Sequence, residues 1–246
     1  MPDGRGQGPL LSLSGVNTHI GQYHILQGVD FSIAPNSLTM LLGRNGAGKT
    51  TCLRTIMGLW KASSGRISLG GSDLRNVPTP DIARLGVAYV PENMGIFAGL
   101  TVQENLRLAA RAGEPEAKRL AWIFGLFPAL KTFYHALAGN LSGGQKQMLA
   151  VARAIVEPRR LLLVDEPTKG LAPAIVANMV EAFRELKRSD TTLLVVEQNF
   201  HFARELGDHV AVMDSGRIVH TGTMAALAGD AALQTRLLGL SLDAHQ

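Results

Sequence analysis

Hydrophobic and polar residues alternate with a period of two near the start of the chain. In ILQGVDFSIA, Val29, Phe31 and Ile33 fall on one side and Asp30 and Ser32 on the other; LLSLSGV alternates in the same way. This spacing predicts antiparallel strands with one face on a core and one in water. The next run is different. LTMLL, from Leu38 to Leu42, is unbroken and apolar, as expected of a short strand buried on both faces. LLLVD (161–165), TTLLVVE (191–197) and VAVMD (210–214) repeat that pattern. After Leu42 come a glycine-rich turn and a helix, in which Leu53, Ile56, Met57 and Trp60 recur at helical spacing. SGRISLGGSDL predicts a returning hairpin, and GRIVHTG a last small hairpin followed by a short helical tail.

Between about 93 and 157 helical periodicity dominates, over Val102 to Ala112, Pro115 to Phe127 and Gly144 to Val156, the last ended by Pro158. The expected architecture is therefore α/β: a nucleotide-binding core with a mostly parallel sheet, an antiparallel β subdomain near the N-terminus, and a helical subdomain inserted in the middle. One domain is expected over 10–246, after a loose Gly/Pro-rich tail over 1–9.

Composition adds exclusions. Twenty-four basic residues against 20 acidic ones give +4, but they are scattered, and no Lys/Arg run reads as a nucleic-acid stripe. Cys52 is the single cysteine, so no intrachain disulfide can form, which fits a reducing compartment. MPDGRGQGPL has no apolar h-region and does not read as a secretory signal. No run approaches the ~18 apolar residues that a bilayer span needs, so any work at a membrane requires another chain to hold this one there.

Two stretches carry the chemistry. GRNGAGKTT, Gly43 to Thr51, fits G-x-x-x-x-G-K-[ST] between a buried strand and a helix. In such a loop Gly43, Arg44, Asn45, Gly46, Ala47 and Gly48 present backbone N–H groups to phosphate oxygens. Lys49 places its charge between the β- and γ-phosphates, Thr50 offers a hydroxyl to Mg²⁺, and Thr51 completes the nucleotide-binding set at the helix start. LLLVDEP delivers Asp165 to the carboxyl edge of a buried strand, where it can hold Mg²⁺ through water, and Glu166 beside it can polarise an attacking water. A chance glycine turn or a merely structural Asp-Glu is the alternative to each; their occurrence together favours the functional reading.

LSGGQKQM then poses a puzzle, because it is a second phosphate-type turn ahead of a helix. Leu141-Ser142-Gly143-Gly144-Gln145, with Ser142 lying 23 residues before Asp165 (165 − 142), resembles the signature loop of ATP-binding-cassette ATPases. The resemblance runs from about Leu10 to the C-terminus. It implies that the signature of one subunit caps the γ-phosphate held by the phosphate loop of another, so that ATP lies sandwiched in a head-to-tail dimer. Ser142, Gly143, Gly144 and Gln145 thus become binding residues for the partner's ATP, at a helix N-terminus that favours an anion.

Finer wording narrows the resemblance. GRNGAGKTT running into LRTIMGL, then VPE, LTVQENL, DEPTKGLAP and VVEQN, is similar to an ATPase subunit of branched-chain amino acid importers, or of related urea and amide importers. That implies permease subunits in the membrane as partners, a second cassette ATPase (a heterodimer, or a homodimer when isolated), an indirectly linked periplasmic or extracellular solute-binding protein, no nucleic acid, and a peripheral place on the cytoplasmic face of the inner or plasma membrane. GIFAGL (95–100) would help form the groove that receives a short helix from the permease, with Phe97 exposed there or simply packed in the core; the loop from Gly170 to Pro173 would cross the dimer seam.

Three positions depart from the general cassette pattern. The usual glutamine linking metal to permease is Glu92, still a metal or metal-water ligand. The usual switch histidine is Gln198, which can donate a neutral hydrogen bond but carries no charge, and His201 three residues on reads as a surface or packing residue. The aromatic that stacks on adenine corresponds to Ile20, with Tyr23 near it in sequence. The expected function is an ATPase energising a solute importer. Its rivals are a lipid or polysaccharide exporter ATPase, which neither Glu92 nor Gln198 favours, and a soluble cassette acting on nucleic acid or ribosomes. Against the latter stand a single cassette and a gap of only 94 residues (142 − 48) between the two loops.

Overall fold

The structure, a computed structural model, describes residues 8–239. Most of the expected 1–9 tail, and the last seven residues, lie outside them.

The alternating stretches form β1 (Leu11–Ile20) and β2 (Tyr23–Ile33), which pair antiparallel. Val29, Phe31 and Ile33 are buried, while Asp30 and Ser32 are exposed, as the alternation requires. β4 (Ala62–Leu69) pairs with the other edge of β1 and returns through β5 (Ser72–Asp73), giving an antiparallel sheet in the order β2-β1-β4-β5.

The second sheet holds the unbroken apolar runs. It contains β3 (Leu38–Leu42), β6 (Val87–Val90), β7 (Leu161–Asp165), β8 (Thr192–Glu197), β9 (His209–Asp214) and β10 (Arg217–Thr223), in the order β10-β9-β3-β8-β7-β6. Five of the six are parallel, and β10 joins β9 antiparallel as the last hairpin. Every residue of β3, β7 and β8 is buried, because both faces of this sheet are covered. One core joins one face to β1, β2, β4 and α1 (Lys49–Ile56). The other joins the opposite face to the helical insertion and to α7 (Pro173–Arg188) and α8 (Phe200–Leu206). Among the described residues, no helix is long and apolar enough to cross a membrane.

The insertion contains α3 (Val102–Ala109), α4 (Ala117–Leu126), α5 (Pro128–Thr132) and α6 (Gly143–Ala154). α3 begins where Thr101 accepts from the Glu104 amide and Glu104 accepts from the Thr101 amide, a reciprocal cap. It stops short of Ala112 because Ala110 is already extended and Gly113 turns at positive φ. The expected Pro115–Phe127 helix starts two residues later, and Pro128 opens α5 as a separate turn. Two further elements were not expected: β6, four residues long at the sheet edge, and α2 (Thr79–Arg84) before it. The helical tail is α9 (Met224–Gly229) and α10 (Ala231–Leu238).

Candidate nucleotide site

The glycine loop leaves the carboxyl end of β3 in the middle of the parallel sheet and enters α1. Gly43 has φ +148°, and a Cβ there would lie 2.1 Å from the Met213 carbonyl oxygen, so only glycine fits. Gly48 sits as the N-cap of α1 in the left-handed region, φ 107°, and no side chain caps the helix. The first amides of α1 are therefore left to an external acceptor, at the positive end of the helix. Buried Ala47 fixes the loop by accepting the Gly216 amide at 2.9 Å, while Arg44, Asn45 and Gly46 are exposed and Thr51 is half-buried. Lys49 Nζ donates to the carbonyls of Gly43 (2.7 Å) and Arg44 (2.9 Å). Burial lowers the Lys49 pKa; the nearby carboxylates of Glu166, Asp165 and Glu197 oppose that shift.

The acidic wall comes from neighbouring strand ends. Asp165, fully buried, accepts from Thr50 Oγ1 (3.1 Å) and from the Tyr89 hydroxyl (3.2 Å). Burial pushes its pKa up, and these two bonds work against the rise. Glu166 stands at φ +47° in the left-handed region, costly for a residue with a Cβ, and its amide donates to Val196 O at 2.9 Å. Its Oε1 accepts from Gln198 Nε2 at 2.5 Å, and the same amide nitrogen donates to Asn45 Oδ1 at 2.6 Å. Gln198 thus bridges the glycine loop and Glu166, the carboxylate expected from the sequence to polarise water. Lys169 Nζ lies 2.5 Å from Glu92 Oε1 and 3.4 Å from Glu166 Oε2. Asn45, Gly46, Gly48, Lys49, Thr50, Thr51, Glu92 and Glu166 line one cavity of about 320 Å³ together with Ile25 and Lys169. A second cavity of about 300 Å³ adjoins the loop at Gly43, Arg44, Asn45 and Gln198.

Glu197, Tyr89 and Lys169 escaped the sequence reading. Glu197 is buried at the end of β8 and accepts from the Thr168 amide (3.0 Å) and hydroxyl (2.7 Å), and from the amides of Gln198 (3.0 Å) and Asn199 (3.1 Å). It fixes both the loop after Glu166 and the turn carrying Gln198. Burial raises its pKa, against the pull of these donors. The available signal was an acid ending an otherwise apolar run in TTLLVVE.

Ile20 ends β1, cross-strand from Tyr23, and is not among the residues lining either cavity; Tyr23 is 66% exposed, and Ile25 lines the cavity at the loop. His201 is exposed, as expected. The signature turn is also apart from both cavities. Ser142 caps α6 by accepting the Gln145 amide at 3.3 Å, and Gln145 Oε1 accepts the Ser142 amide at 2.9 Å. Gly143 is exposed, with open space where a Cβ would stand. Gly144 is buried, and a Cβ there would meet Ile175 Cγ2 of α7 at 2.7 Å.

A larger cavity of about 680 Å³ lies between the end of α1, β6 and the insertion, lined by Arg54, Trp60, Tyr89, Met94, Arg153 and Arg159 among others. Phe97 beside it is 49% exposed, with the Arg153 guanidinium 4.8 Å from its ring centre. The loop bearing Phe97 is tied by fully buried Asn105, which accepts the Phe97 amide and donates to the carbonyls of Phe97 and Thr101, each at 2.9 Å.

The donor chemistry suits a magnesium nucleotide. Among the described residues no group of three or more His, Cys, Asp or Glu is placed to hold a metal ion. A hydroxyl and a carboxylate side by side, Thr50 and Asp165, supply the few hard oxygen ligands with which Mg²⁺ is held alongside phosphate. The uncapped α1 amides and Lys49 supply the matching anion site.

Comparison with known proteins agrees with this chemistry. The sequence profile of the family described as ABC transporter matches residues 26–169. The chain is 38% identical to the high-affinity branched-chain amino acid transport ATP-binding protein BraG of Pseudomonas aeruginosa, over 94% of this chain and 100% of that protein. It is 36% identical to the probable branched-chain amino acid transport ATP-binding protein LivF of Archaeoglobus fulgidus, over 92% and 97%. Among solved structures, an ATP-binding subunit of an ABC transporter superposes with a TM-score of 0.79 at 29% identity, over 95% of this chain and 96% of that one.

Proposed function

The chain belongs to the ABC transporter family, and from that premise we propose that it is the ATP-hydrolysing subunit that energises an importer of branched-chain amino acids. The observation that carries this reading is a division of labour. Lys49, Thr50, Glu92, Glu166 and Gln198 gather at the glycine loop, while Ser142 and Gly143 stand exposed at a separate helix end. A chain built this way holds a nucleotide with one surface and completes another chain's site with the second.

In the proposed reaction the loop amides and Lys49 hold the β- and γ-phosphates. Glu166 accepts a proton from the water that attacks the γ-phosphorus while the bond from that phosphorus to the β,γ-bridging oxygen breaks and ADP leaves, and Gln198 orients that carboxylate from the loop side. Mg²⁺, when bound, would neutralise phosphate charge, with Thr50, Asp165 and Glu92 as the residues that would hold it. Catalysis is then positioning and charge stabilisation with no covalent intermediate. The second cassette presents its signature to this ATP, as Ser142 and Gly143 do to the other. Permease subunits dock on the insertion side, at the groove near Phe97, and hold the chain peripherally at the cytoplasmic face; a solute-binding protein outside delivers the amino acid. The resemblance to BraG and LivF supports the substrate class.

Because the signature is intact and the switch residue is a neutral amide, the second cassette is proposed to be a different, histidine-bearing chain. The test is an ATPase assay of the assembled transporter with single changes. Ser142→Arg here should stop most turnover by blocking the partner's site. Glu166→Gln here should cost less than the matching change in the partner, by a factor on the order of 10²–10³ if the lost histidine behaves like other oxyanion donors. Equal losses from the two Glu→Gln changes, with the isolated chain as fast as the complex, would refute unequal sites.

A further inference from the structure

Two carboxylates, Glu92 and Glu166, line the phosphate-loop cavity, with Asp165 bonded to Thr50 beside it, and the two lysines lining it are used differently. Lys49 is turned back onto the carbonyls of its own loop. Lys169 instead spans two of the acids, 2.5 Å from Glu92 Oε1 and 3.4 Å from Glu166 Oε2. Glu92 follows β6 and Lys169 follows β7, so the contact ties together the loops leaving two adjacent parallel strands. With Gln198 on Oε1 and Lys169 on Oε2, both oxygens of Glu166 are engaged.

We infer that Lys169 is a positioning residue that competes with the divalent cation for Glu92 while holding Glu166, so that metal loading opens the Lys169–Glu92 pair. This rests on the nucleotide-site reading above. The lysine is suited to the task. Its side chain is 58% exposed, it sits on a short turn (Lys169 amide to Glu166 carbonyl, 3.2 Å), and Gly170 after it has φ +70° with open space around it. An ammonium on a flexible stem, partly in water, keeps a carboxylate from facing other carboxylates unpaired and yields it readily. A divalent cation brings twice the charge to the same oxygens and needs Glu92 free. The pair opens, while Lys169 keeps its contact with Glu166, the glutamate that must receive the proton.

The measurement is nucleotide binding, read from the fluorescence of an N-methylanthraniloyl ATP as Mg²⁺ is titrated against the full chain. Lys169→Met should lower the Mg²⁺ midpoint by about two- to fivefold, since an exposed pair is worth little; Lys169→Arg, which keeps the charge, should leave it near wild type. In a Glu92→Gln background, Lys169→Met should no longer move the midpoint. A midpoint that stays put or rises in Lys169→Met overturns the inference, a rise meaning that Lys169 binds phosphate directly. An equal shift with and without Glu92 also overturns it. Absence of any nucleotide signal from the wild-type chain would overturn the nucleotide-site reading, and this inference with it, whereas normal binding with an unmoved midpoint defeats the inference alone.

Discussion

The phosphate loop and the signature turn are written alike, small residues ahead of a helix, yet the two helix ends are finished in opposite ways. At α1 the cap is Gly48 in a left-handed conformation, and no side chain satisfies the first amides. At α6 Ser142 and Gln145 cap each other reciprocally, so two donors are already answered within the chain. The surroundings diverge in the same sense. Around α1 stand a desolvated lysine, a buried aspartate whose pKa is pushed up, and a glutamate at positive φ. Around the start of α6 the helix is closely packed under Ile175 and the cap is complete. The first region carries uncapped amides and desolvated charges, a cost that the proposed magnesium nucleotide would offset; the second is stable as it stands and, in the proposed reading, meets a partner's phosphate. Substitutions in the two regions should therefore differ in kind, and even in sign.

The largest effect belongs to the incomplete region. Lys49→Ala removes a charged donor from an anion site of uncapped amides, so ATP affinity should fall by roughly 10- to 100-fold, the worth of a charge-assisted hydrogen bond. Melting temperature without nucleotide should hardly drop, because Lys49 is bonded only to its own loop carbonyls and its charge is desolvated. Titration calorimetry and a thermal melt on the same sample separate the two. Unchanged affinity would mean that the glycine loop is not the nucleotide site.

The signature glycines should divide between stability and function. Gly144→Ala puts a Cβ 2.7 Å from Ile175 Cγ2 and should cost about 1–3 kcal/mol by overpacking, visible in urea unfolding of the isolated chain. Gly143→Ala meets open space and should leave stability within ~0.5 kcal/mol. It should still slow the assembled transporter if, as proposed, that surface meets the partner's nucleotide. Equal destabilisation by both would erase the distinction. Ser142→Ala, which removes the cap, should fall between them at about 1 kcal/mol.

Much of this was legible beforehand, and the reason is physical. β3 and β7 appear over the very residues of their apolar runs, because a strand covered on both faces is apolar along almost its whole length. The motif residues of the glycine loop and LLLVDEP meet because parallel strands deliver their following loops to one edge of the sheet. What escaped depends on contacts between distant segments. β6 is too short to show a period, and its place at the sheet edge is set by pairing with β7. Glu197 reads as the polar end of an apolar run, and two of its four donors come from Thr168, 29 residues away in the chain. The Lys169–Glu92 contact joins residues 77 apart in the chain, and neither position hints at the other. Gly144 lies in the signature turn, and its lack of room for a side chain is set by Ile175 on another helix, which the motif alone does not show.

The smallest effect is the one of opposite sign. Asp165 is buried, and its folded pKa lies above the ordinary value of 3.8. The fold therefore favours the protonated acid. The resulting stability is fully present below the unfolded pKa and is lost as pH rises through the folded one, leaving the neutral-pH protein with a charge it hosts poorly. Asp165→Asn removes that titration while keeping one oxygen to accept from Thr50 or Tyr89. At neutral pH the variant should melt a few degrees higher than wild type without nucleotide, each kcal/mol counting for roughly 2–4 °C in a chain of this size. The advantage should shrink toward acid, as wild-type Asp165 takes up its proton. Added Mg²⁺ and ATP should reverse the order, because only the aspartate gains from the metal. Thermal melts across the acid-to-neutral range, with and without magnesium nucleotide, test both halves. A variant less stable than wild type at neutral pH would mean that the Thr50 and Tyr89 bonds outweigh burial, and the phosphate-loop region would then be as self-sufficient as the signature turn.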